Sequence, residues 1–139
     1  MRKGILSLVS ALVVFGATSA YAEGRHESAA QQTISGQIAA FKAQDGAKAF
    51  SYAAPNVKRF FPTTDAFMRM VKSGYQPVYN PRQFSFGRYG EKGGSIFQEV
   101  LVTGPAGKEW VALYTLEVQA DGSLLITSCR LAKHDALSI

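Results

Sequence analysis

The sequence predicts an α+β domain in which N-terminal helices pack on a curved, four-stranded antiparallel sheet. Two observations support this fold class. Apolar residues recur at helical spacing from residue 28 to residue 73, and after residue 81 the chain becomes rich in β-branched and aromatic residues. Glycine-containing turns divide the second half into four runs. Because a single layer of helices covers only one face of such a sheet, the other face is expected to be exposed or covered by another molecule.

The first 22 residues have the pattern of a secretory signal peptide. Arg2 and Lys3 precede an apolar run over residues 5–17, and Ala20-Tyr21-Ala22 supplies the small residues of a cleavage site. The apolar run is shorter than the ~20 residues that a membrane-spanning helix needs. The sequence therefore predicts a signal peptide over residues 1–22, a single domain over residues 23–139 without a transmembrane anchor, and export to the periplasm.

Three apolar stripes define the helical half. They consist of Ala30, Ile34, Ile38 and Phe41, then Ala47, Phe50 and Ala54, then Phe67 and Val71. Ser28 with Gln31 predicts an N-terminal capping box for the first helix, and Asp45 or Gly46 restarts the chain before the second. Pro55 is expected to end the second helix, and residues 56–61 to form a short helical turn.

The third helix and the segment after it carry their own signals. Thr64 is expected to cap the third helix, and Gly74 to close it in a left-handed turn. The segment SGYQPVYNPRQF, residues 73–84, then places a tyrosine two residues before each of its two prolines. We expect an extended connector, in which Tyr75 and Tyr79 point the same way.

Four strands follow, and their turns set a register. The strands are predicted over residues 82–89, 95–103, 109–119 and 123–131, with a type I′ turn at Asp121-Gly122. This register places Glu99 opposite both Leu113 and Phe86, and Leu113 opposite Arg130.

Strand alternation then assigns the two faces of the sheet. The outer face carries Phe84, Phe86, Phe97, Glu99, Leu101, Val111, Leu113, Ile126 and Arg130. The helix-covered face carries Ile96, Gln98, Val100, Val102, Trp110, Ala112, Tyr114, Leu116, Val118, Leu125, Thr127, Cys129 and Leu131. Helices are expected on the Trp110/Tyr114 face, and a homodimer through the other face would cover its apolar residues.

Helices followed by a four-stranded meander resemble the cone-shaped fold of ketosteroid isomerase, SnoaL-like cyclases and nuclear transport factor 2. The chain resembles more closely a family of small bacterial exported proteins, domain of unknown function 4864. The similar stretches are ISGQIAAFKAQDGAKAFSYAAPNVKRFF (34–61), FMRMVKSGYQPVYNPRQFSFG (67–87) and QEVLVTGPAGKEWVALYTLEVQADGSLLITSCRL (98–131). That family implies no established activity. The wider superfamily implies a pocket between the concave sheet and the helices, and often dimerisation through the sheet.

Composition excludes several kinds of chemistry. Cys129 is the only cysteine, so an intramolecular disulfide is excluded, and its place on a strand favours a role in the core. The chain after cleavage carries 13 basic and 10 acidic residues, an excess too small to indicate a nucleic-acid partner. His26 and His134 lie near the ends of the domain, and no metal-ligand spacing occurs, so we expect no metal and no cofactor.

The residues that best suit a binding role are aromatic side chains with polar tips and one amide. We predict that they contact a small apolar or aromatic ligand, and they are Tyr52, Tyr75, Tyr79, Gln98, Trp110 and Tyr114. No catalytic residue is assigned. An isomerase or dehydratase that uses Glu99 or a tyrosine inside the cone is the alternative, although the register places Glu99 on the outer face. A third reading is contact with anionic envelope surfaces through the basic residues Lys58, Arg59, Arg69 and Lys72.

Overall fold

The computed structural model of the protein describes residues 18–134, with side chains from residue 26 onward. In this part of the chain the helices are α1 (Thr18–Lys42), α2 (Gly46–Ser51), α3 (Pro55–Lys58), α4 (Thr64–Gly74) and α5 (Gln76–Tyr79). The strands are β1 (Gln83–Lys92), β2 (Ser95–Thr103), β3 (Glu109–Val118) and β4 (Leu124–Lys133). They form one antiparallel sheet in the order β1-β2-β3-β4, so the predicted α+β class is confirmed.

Most of the predicted signal peptide, residues 1–17, lies outside the described residues. Between residues 18 and 134, no helix has both the length and the apolar character that crossing a membrane requires. The capping box at Ser28 is wrong, because α1 is already helical from Thr18 and the Ser28 hydroxyl instead accepts a hydrogen bond from Gln32 Nε2 at 3.3 Å. The predicted apolar stripe is correct, since Ala30, Ile34, Ile38 and Phe41 are all buried.

The ends of the shorter helices follow local side-chain chemistry. Asp45, one of the two residues expected to restart the chain, caps α2 by accepting from the Lys48 backbone N–H at 3.1 Å. Thr63, one residue before the predicted Thr64, caps α4 by accepting from the Ala66 backbone N–H at 3.1 Å. Gly74 is the last residue of α4 and does not have the predicted left-handed conformation.

The predicted extended connector after α4 is wrong, because α5 forms there instead. Pro77 is the second residue of α5, a position where the missing N–H of proline costs no helical hydrogen bond. Tyr75 and Tyr79 therefore lie one helical turn apart, and the Tyr79 backbone N–H donates to the Tyr75 carbonyl at 2.9 Å. Both tyrosines still face the core side, where they pack against its apolar residues.

The β2–β3 register agrees with the prediction, because Glu99 pairs with Leu113, and Leu113 pairs with Arg130 on β4. The predicted type I′ turn at Asp121-Gly122 is wrong. Gly122 has positive φ but Asp121 does not, and the Gln119 backbone N–H donates to the Ser123 carbonyl at 2.7 Å across a longer loop. Two consecutive residues with positive φ occur instead in the β1–β2 turn, at Gly93-Gly94.

A bulge in β1 corrects the predicted pairing of Phe86 with Glu99. Phe86 pairs with Val100 and Tyr89 pairs with Gln98, so that Gly87 and Arg88 together oppose Glu99. The shift of one position moves Phe84 and Phe86 from the outer face, where alternation placed them, to the helix-covered face. Both pack there against the core, with their rings 5.9 Å apart between centroids.

A second bulge lies in β4. Thr115 pairs with Ser128 and Leu116 pairs with Ile126, which leaves Thr127 as the additional residue. Ile126 therefore faces the helices and is buried, although alternation predicted the outer face for it. Leu125, predicted on the helix-covered face, pairs with Glu117 on the outer face.

The core has two parts, and the helices cover the Tyr114 face of the sheet as predicted. One cluster joins α1 to the sheet through residues such as Ile34, Ile38 and Tyr114, and the other joins α1, α2 and α4 through Phe41 and Phe67. On the outer face, the side chain of Leu101 is 39% exposed. A homodimer through this face stays a prediction.

Candidate ligand-binding pocket

A pocket of ≈550 Å³ lies between the helical layer and strands β3 and β4. Its described wall consists of Gln37, Phe41, Ala53, Asn56, Val57, Phe60, Phe61, Phe67, Met70, Val71, Tyr75, Val78, Tyr114, Ile126, Thr127, Ser128 and Cys129.

The bulge in β4 shapes the sheet side of this pocket. In a regular strand only alternate residues face one side, but here the consecutive residues 126–129 all contribute to the wall. The Thr127 hydroxyl donates to the Thr115 carbonyl at 3.0 Å, and so provides a partner for that carbonyl beside the bulge. The bulge therefore lies where four consecutive residues of β4 contribute to the wall.

The segment between α2 and α3 is fixed to the same part of β4. The Ala54 backbone N–H donates to the Ile126 carbonyl at 2.8 Å, and the Ile126 N–H donates to the Tyr52 carbonyl at 2.9 Å. Ala53 and Ile126 thus form a short parallel bridge. One turn later, Asn56 Nδ2 donates to the Thr127 carbonyl at 3.1 Å. These bonds hold α3 at the edge of the pocket.

Aromatic rings form the helical side of the wall. The Phe67 ring lies 6.2 Å from that of Phe41 and 5.6 Å from that of Phe61, measured between centroids. Phe60, in the same wall, is 80% exposed. Such rings offer a large apolar surface to a ligand, with the preferred tilted and edge-to-face contacts already made between them.

Two buried polar atoms of the wall have no hydrogen-bond partner among the described protein atoms: the Tyr114 hydroxyl and Asn56 Oδ1. Tyr114 is only 1% exposed. The bond from Asn56 Nδ2 to Thr127 fixes which way this amide points, so its oxygen is the atom without a partner. A buried polar atom without a hydrogen bond costs roughly 1–3 kcal/mol, so both atoms favour the arrival of a polar group in the pocket.

Tyr114 and Cys129, two titratable residues of the wall, keep their protons at neutral pH. Burial raises the pKa of the Tyr114 hydroxyl well above its usual value, and the neighbouring Cys129 adds to this shift. Burial also raises the pKa of the Cys129 thiol to about 12. No Asp, Glu or His occurs among the described wall residues. The site is therefore built for hydrogen bonding and apolar contact, since it offers no group poised to accept a proton.

The structure brings two of the six predicted ligand contacts, Tyr75 and Tyr114, to this pocket. Tyr52 packs against the core that joins α1 to the sheet, with its hydroxyl beside Gly36. Tyr79 lies behind the wall, its ring 6.0 Å from that of Phe41.

Gln98 is fully buried, and its amide already has partners. Gln98 Nε2 lies within hydrogen-bond distance of the carbonyls of Gly87, Arg88 and Glu99, at 3.3, 3.2 and 2.9 Å. Its oxygen accepts a bond from Gln31 Nε2 at 3.3 Å. Two of these carbonyls belong to the β1 bulge. The amide of Gln98 therefore stabilises the bulge.

Trp110 lines a separate hollow of ≈480 Å³ at the other end of the strands. Phe84, Thr103 and His134 also contribute to this hollow, and His134 Nδ1 lies 3.9 Å from Glu109 Oε2. The residues of this hollow do not reach the pocket between the helices and β4.

Glu99 and Glu91, two carboxylates with close hydrogen-bond partners, lie outside this pocket. Glu99 is on the outer face as predicted, and its Oε1 accepts a hydrogen bond from Arg88 Nη2 at 2.7 Å. Glu91 Oε1 lies 2.7 Å from His26 Nδ1 and accepts from the Tyr89 hydroxyl at 2.8 Å. From residue 18 to 134, no three His, Cys, Asp or Glu residues lie together in a way that could hold a metal ion.

The sequence analysis did not identify several residues of the pocket wall. Asn56, Phe61 and Met70 line the pocket, yet each has the spacing of an ordinary helix or turn residue. Only Asn56 carried a signal, because a polar residue directly after Pro55 in a short turn is placed to bond a neighbouring backbone.

Comparison with known proteins gives one match. The family model described as "Domain of unknown function (DUF4864)" matches residues 24–139. No curated protein and no solved structure matches the chain. The resemblance to this family is thereby confirmed, whereas the wider resemblance to SnoaL-like proteins stays a prediction.

Proposed function

We propose that this chain, which belongs to the DUF4864 family over residues 24–139, is a binding protein for a small, largely apolar molecule. The observation that carries the proposal is the ≈550 Å³ pocket with two partnerless buried polar atoms in its wall. Ligand pockets typically measure roughly 300–1,000 Å³ and combine an apolar lining with a few polar groups that orient the ligand. The pocket has both properties.

Binding without catalysis is the function that this wall supports best. An isomerase or dehydratase needs a base within hydrogen-bond reach of the substrate. Glu99, the candidate for that role, lies on the outer face of the sheet and is paired with Arg88. Tyr114 and Cys129 both hold their protons at neutral pH because burial raises their pKa values.

We further propose that the protein is exported and acts in the periplasm. The support is the pattern of residues 1–22, with basic residues, an apolar run and a small-residue cleavage site in that order. Export would expose the pocket to the apolar and amphipathic compounds of the cell envelope. Secretion of a reporter fused after residue 22, and N-terminal sequencing of the exported product, test this proposal.

Filling the pocket tests the binding proposal. Met70 lies in the wall and Arg69, its neighbour on α4, is exposed to solvent. We expect Met70→Trp to weaken binding of the uncharged apolar fluorophore N-phenyl-1-naphthylamine by about tenfold or more, because the indole takes up pocket volume. Arg69→Trp is the matched control, and should bind the fluorophore as the wild type does.

Circular dichroism melting of both variants shows whether they are folded when binding is measured. Native mass spectrometry of the wild type, purified without denaturant, adds an independent measurement through the mass of any co-purified compound. Equal fluorophore binding by folded Met70→Trp and by the wild type would contradict the proposal.

A further inference from the structure

We infer that the ligand of the pocket is an uncharged molecule with an apolar body and a hydrogen-bond donor, such as a hydroxyl or an amide N–H group. This inference rests on the proposed function and specifies the chemical class of the ligand. It is carried by the Tyr114 hydroxyl and Asn56 Oδ1, two buried polar atoms of wall residues that have no nitrogen or oxygen partner among the described protein atoms.

Asn56 requires a donor. Its Nδ2 donates to the Thr127 carbonyl at 3.1 Å, which holds the amide plane and leaves Oδ1 as an acceptor. An amide oxygen accepts hydrogen bonds and donates none. A ligand that satisfies this atom must therefore present an O–H or N–H group.

Tyr114 can form a hydrogen bond with the same O–H or N–H group of the ligand, or with a second polar group. Its hydroxyl is both a donor and an acceptor, and at neutral pH it keeps its proton, because burial raises its pKa. Its cross-strand neighbour Cys129 interacts with the hydroxyl and contributes to this rise of the pKa, but a thiol is only a weak hydrogen-bond partner. A hydroxyl on the ligand can accept from Tyr114 while it donates to another atom.

The wall offers no counter-charge to an ionised ligand. None of the described wall residues is Lys, Arg, His, Asp or Glu. Lys58 follows the wall residue Val57, but its Nζ lies over the Phe50 ring, 5.8 Å from the centroid. A carboxylate or ammonium group that entered the pocket would lose its hydration without gaining a counter-charge, and burial of an unpaired charge has a large free-energy cost.

Three probes with one ring system separate these properties: 2-naphthol, naphthalene and 2-naphthoate. We expect wild-type protein at pH 7 to bind 2-naphthol roughly tenfold more tightly than naphthalene, because only the hydroxyl satisfies the buried polar atoms. We expect 2-naphthoate to bind more weakly than naphthalene. The quenching of ring fluorescence on titration gives all three affinities.

Tyr114→Phe removes one of the two polar atoms with little change of shape. In this variant the preference for 2-naphthol over naphthalene should fall severalfold, and the urea midpoint of unfolding should not decrease. The second readout separates a ligand-binding hydroxyl from a structural one, since loss of a bond within the fold would lower the midpoint. Tyr79→Phe is the matched control because Tyr79 lies outside the wall, and its preference should equal that of the wild type.

The outcomes distinguish the two proposals. Equal affinities for 2-naphthol and naphthalene, as expected if water satisfies both polar atoms, would overturn the inference and leave the binding proposal standing. The same holds for tight binding of 2-naphthoate, for an unchanged preference in Tyr114→Phe, and for a lower urea midpoint in that variant. Failure of all three probes to bind would overturn the proposed function itself.

Discussion

Gln98 and Tyr114 are paired residues on adjacent strands, and both side chains are buried beneath the helices. The amide of Gln98 has hydrogen-bond partners on both its nitrogen and its oxygen. The hydroxyl of Tyr114 has none among the described protein atoms apart from a weak interaction with the Cys129 thiol, and Tyr114 belongs to the pocket wall. Burial and polarity are the same at the two positions. What separates a structural residue from a candidate ligand contact is whether the fold already uses its polar atoms.

The two β-bulges explain why the side chain of Gln98 is hydrogen-bonded by the fold and that of Tyr114 is not. At the β1 bulge, Gln98 Nε2 lies against the carbonyls of Gly87 and Arg88, so this amide is required by the backbone. At the β4 bulge, Thr127 bonds the Thr115 carbonyl through its own hydroxyl, and Asn56 bonds the Thr127 carbonyl. Tyr114 takes part in none of these bonds, so neither bulge uses its hydroxyl.

The largest expected effect is on the alkylation rate of Cys129, which tests how well the surroundings of Tyr114 are shielded from water. Cys129 pairs with Tyr114 on the pocket side, and burial raises the pKa of its thiol to about 12. Cys129 is partly exposed, so its raised pKa is what should slow the reaction: because only the thiolate reacts, iodoacetamide should label it at pH 8 at least about a hundredfold more slowly in the folded protein than in the urea-unfolded chain. Mass spectrometry of timed samples gives both rates. Similar rates in the two states would show that the thiol is open to solvent.

The next largest effect tests whether the Gln98 amide stabilises the fold through the β1 bulge. Gln98→Leu keeps the approximate size of the side chain but leaves the bulge carbonyls without their amide donor. We expect it to lower the free energy of unfolding by about 2–4 kcal/mol, measured by urea denaturation. Gln83→Leu is the control, since Gln83 is exposed on the same strand pair and its amide reaches only the Thr103 hydroxyl at 3.5 Å. If the two variants lost equal stability, the distinction between Gln98 and Tyr114 would not hold.

The smallest effect concerns the outer side of the same β1 bulge. Hydrogen bonds from Arg88 hold the pKa of Glu99 below its usual value of 4.5. The stabilisation from Glu99 is therefore complete above pH 4.5, and it is lost as the pH falls through the lower pKa of the folded state. Glu99→Gln should cost much less stability at pH 7 than Gln98→Leu, because exposed ion pairs contribute little.

Urea denaturation between pH 7 and pH 3 checks this sign, with Glu117→Gln, an exposed substitution on the same face, as the control. The stability difference between the wild type and Glu99→Gln should shrink as the pH falls. A difference that grows toward acid would mean that the carboxylate is not stabilised by Arg88.

The sequence predicted the faces correctly where strands are regular and wrongly where they bulge. The pairs of Glu99 with Leu113 and of Leu113 with Arg130 are correct because neither lies at an interruption of its ladder. The outer-face assignment failed for Phe86 and for Ile126, each of which lies beside a bulge. Gly87 within a strand was the available signal for the first bulge. No comparable residue marks the second.

The sequence by itself determined the order of the elements, the antiparallel meander and the face that the helices cover, because hydrophobic periodicity and turn residues act over short stretches of chain. The tertiary structure decided which polar side chains are hydrogen-bonded within the fold and where the pocket lies. The hydrogen bond that fixes α3 beside the pocket joins Asn56 to Thr127, which are 71 residues apart in the chain. No local pattern encodes such a meeting, because it depends on how α3 docks against the bulge in β4. The aromatic and amide residues could be selected as candidates from their chemistry, but only the packing of helices on the sheet separated Gln98 from Tyr114.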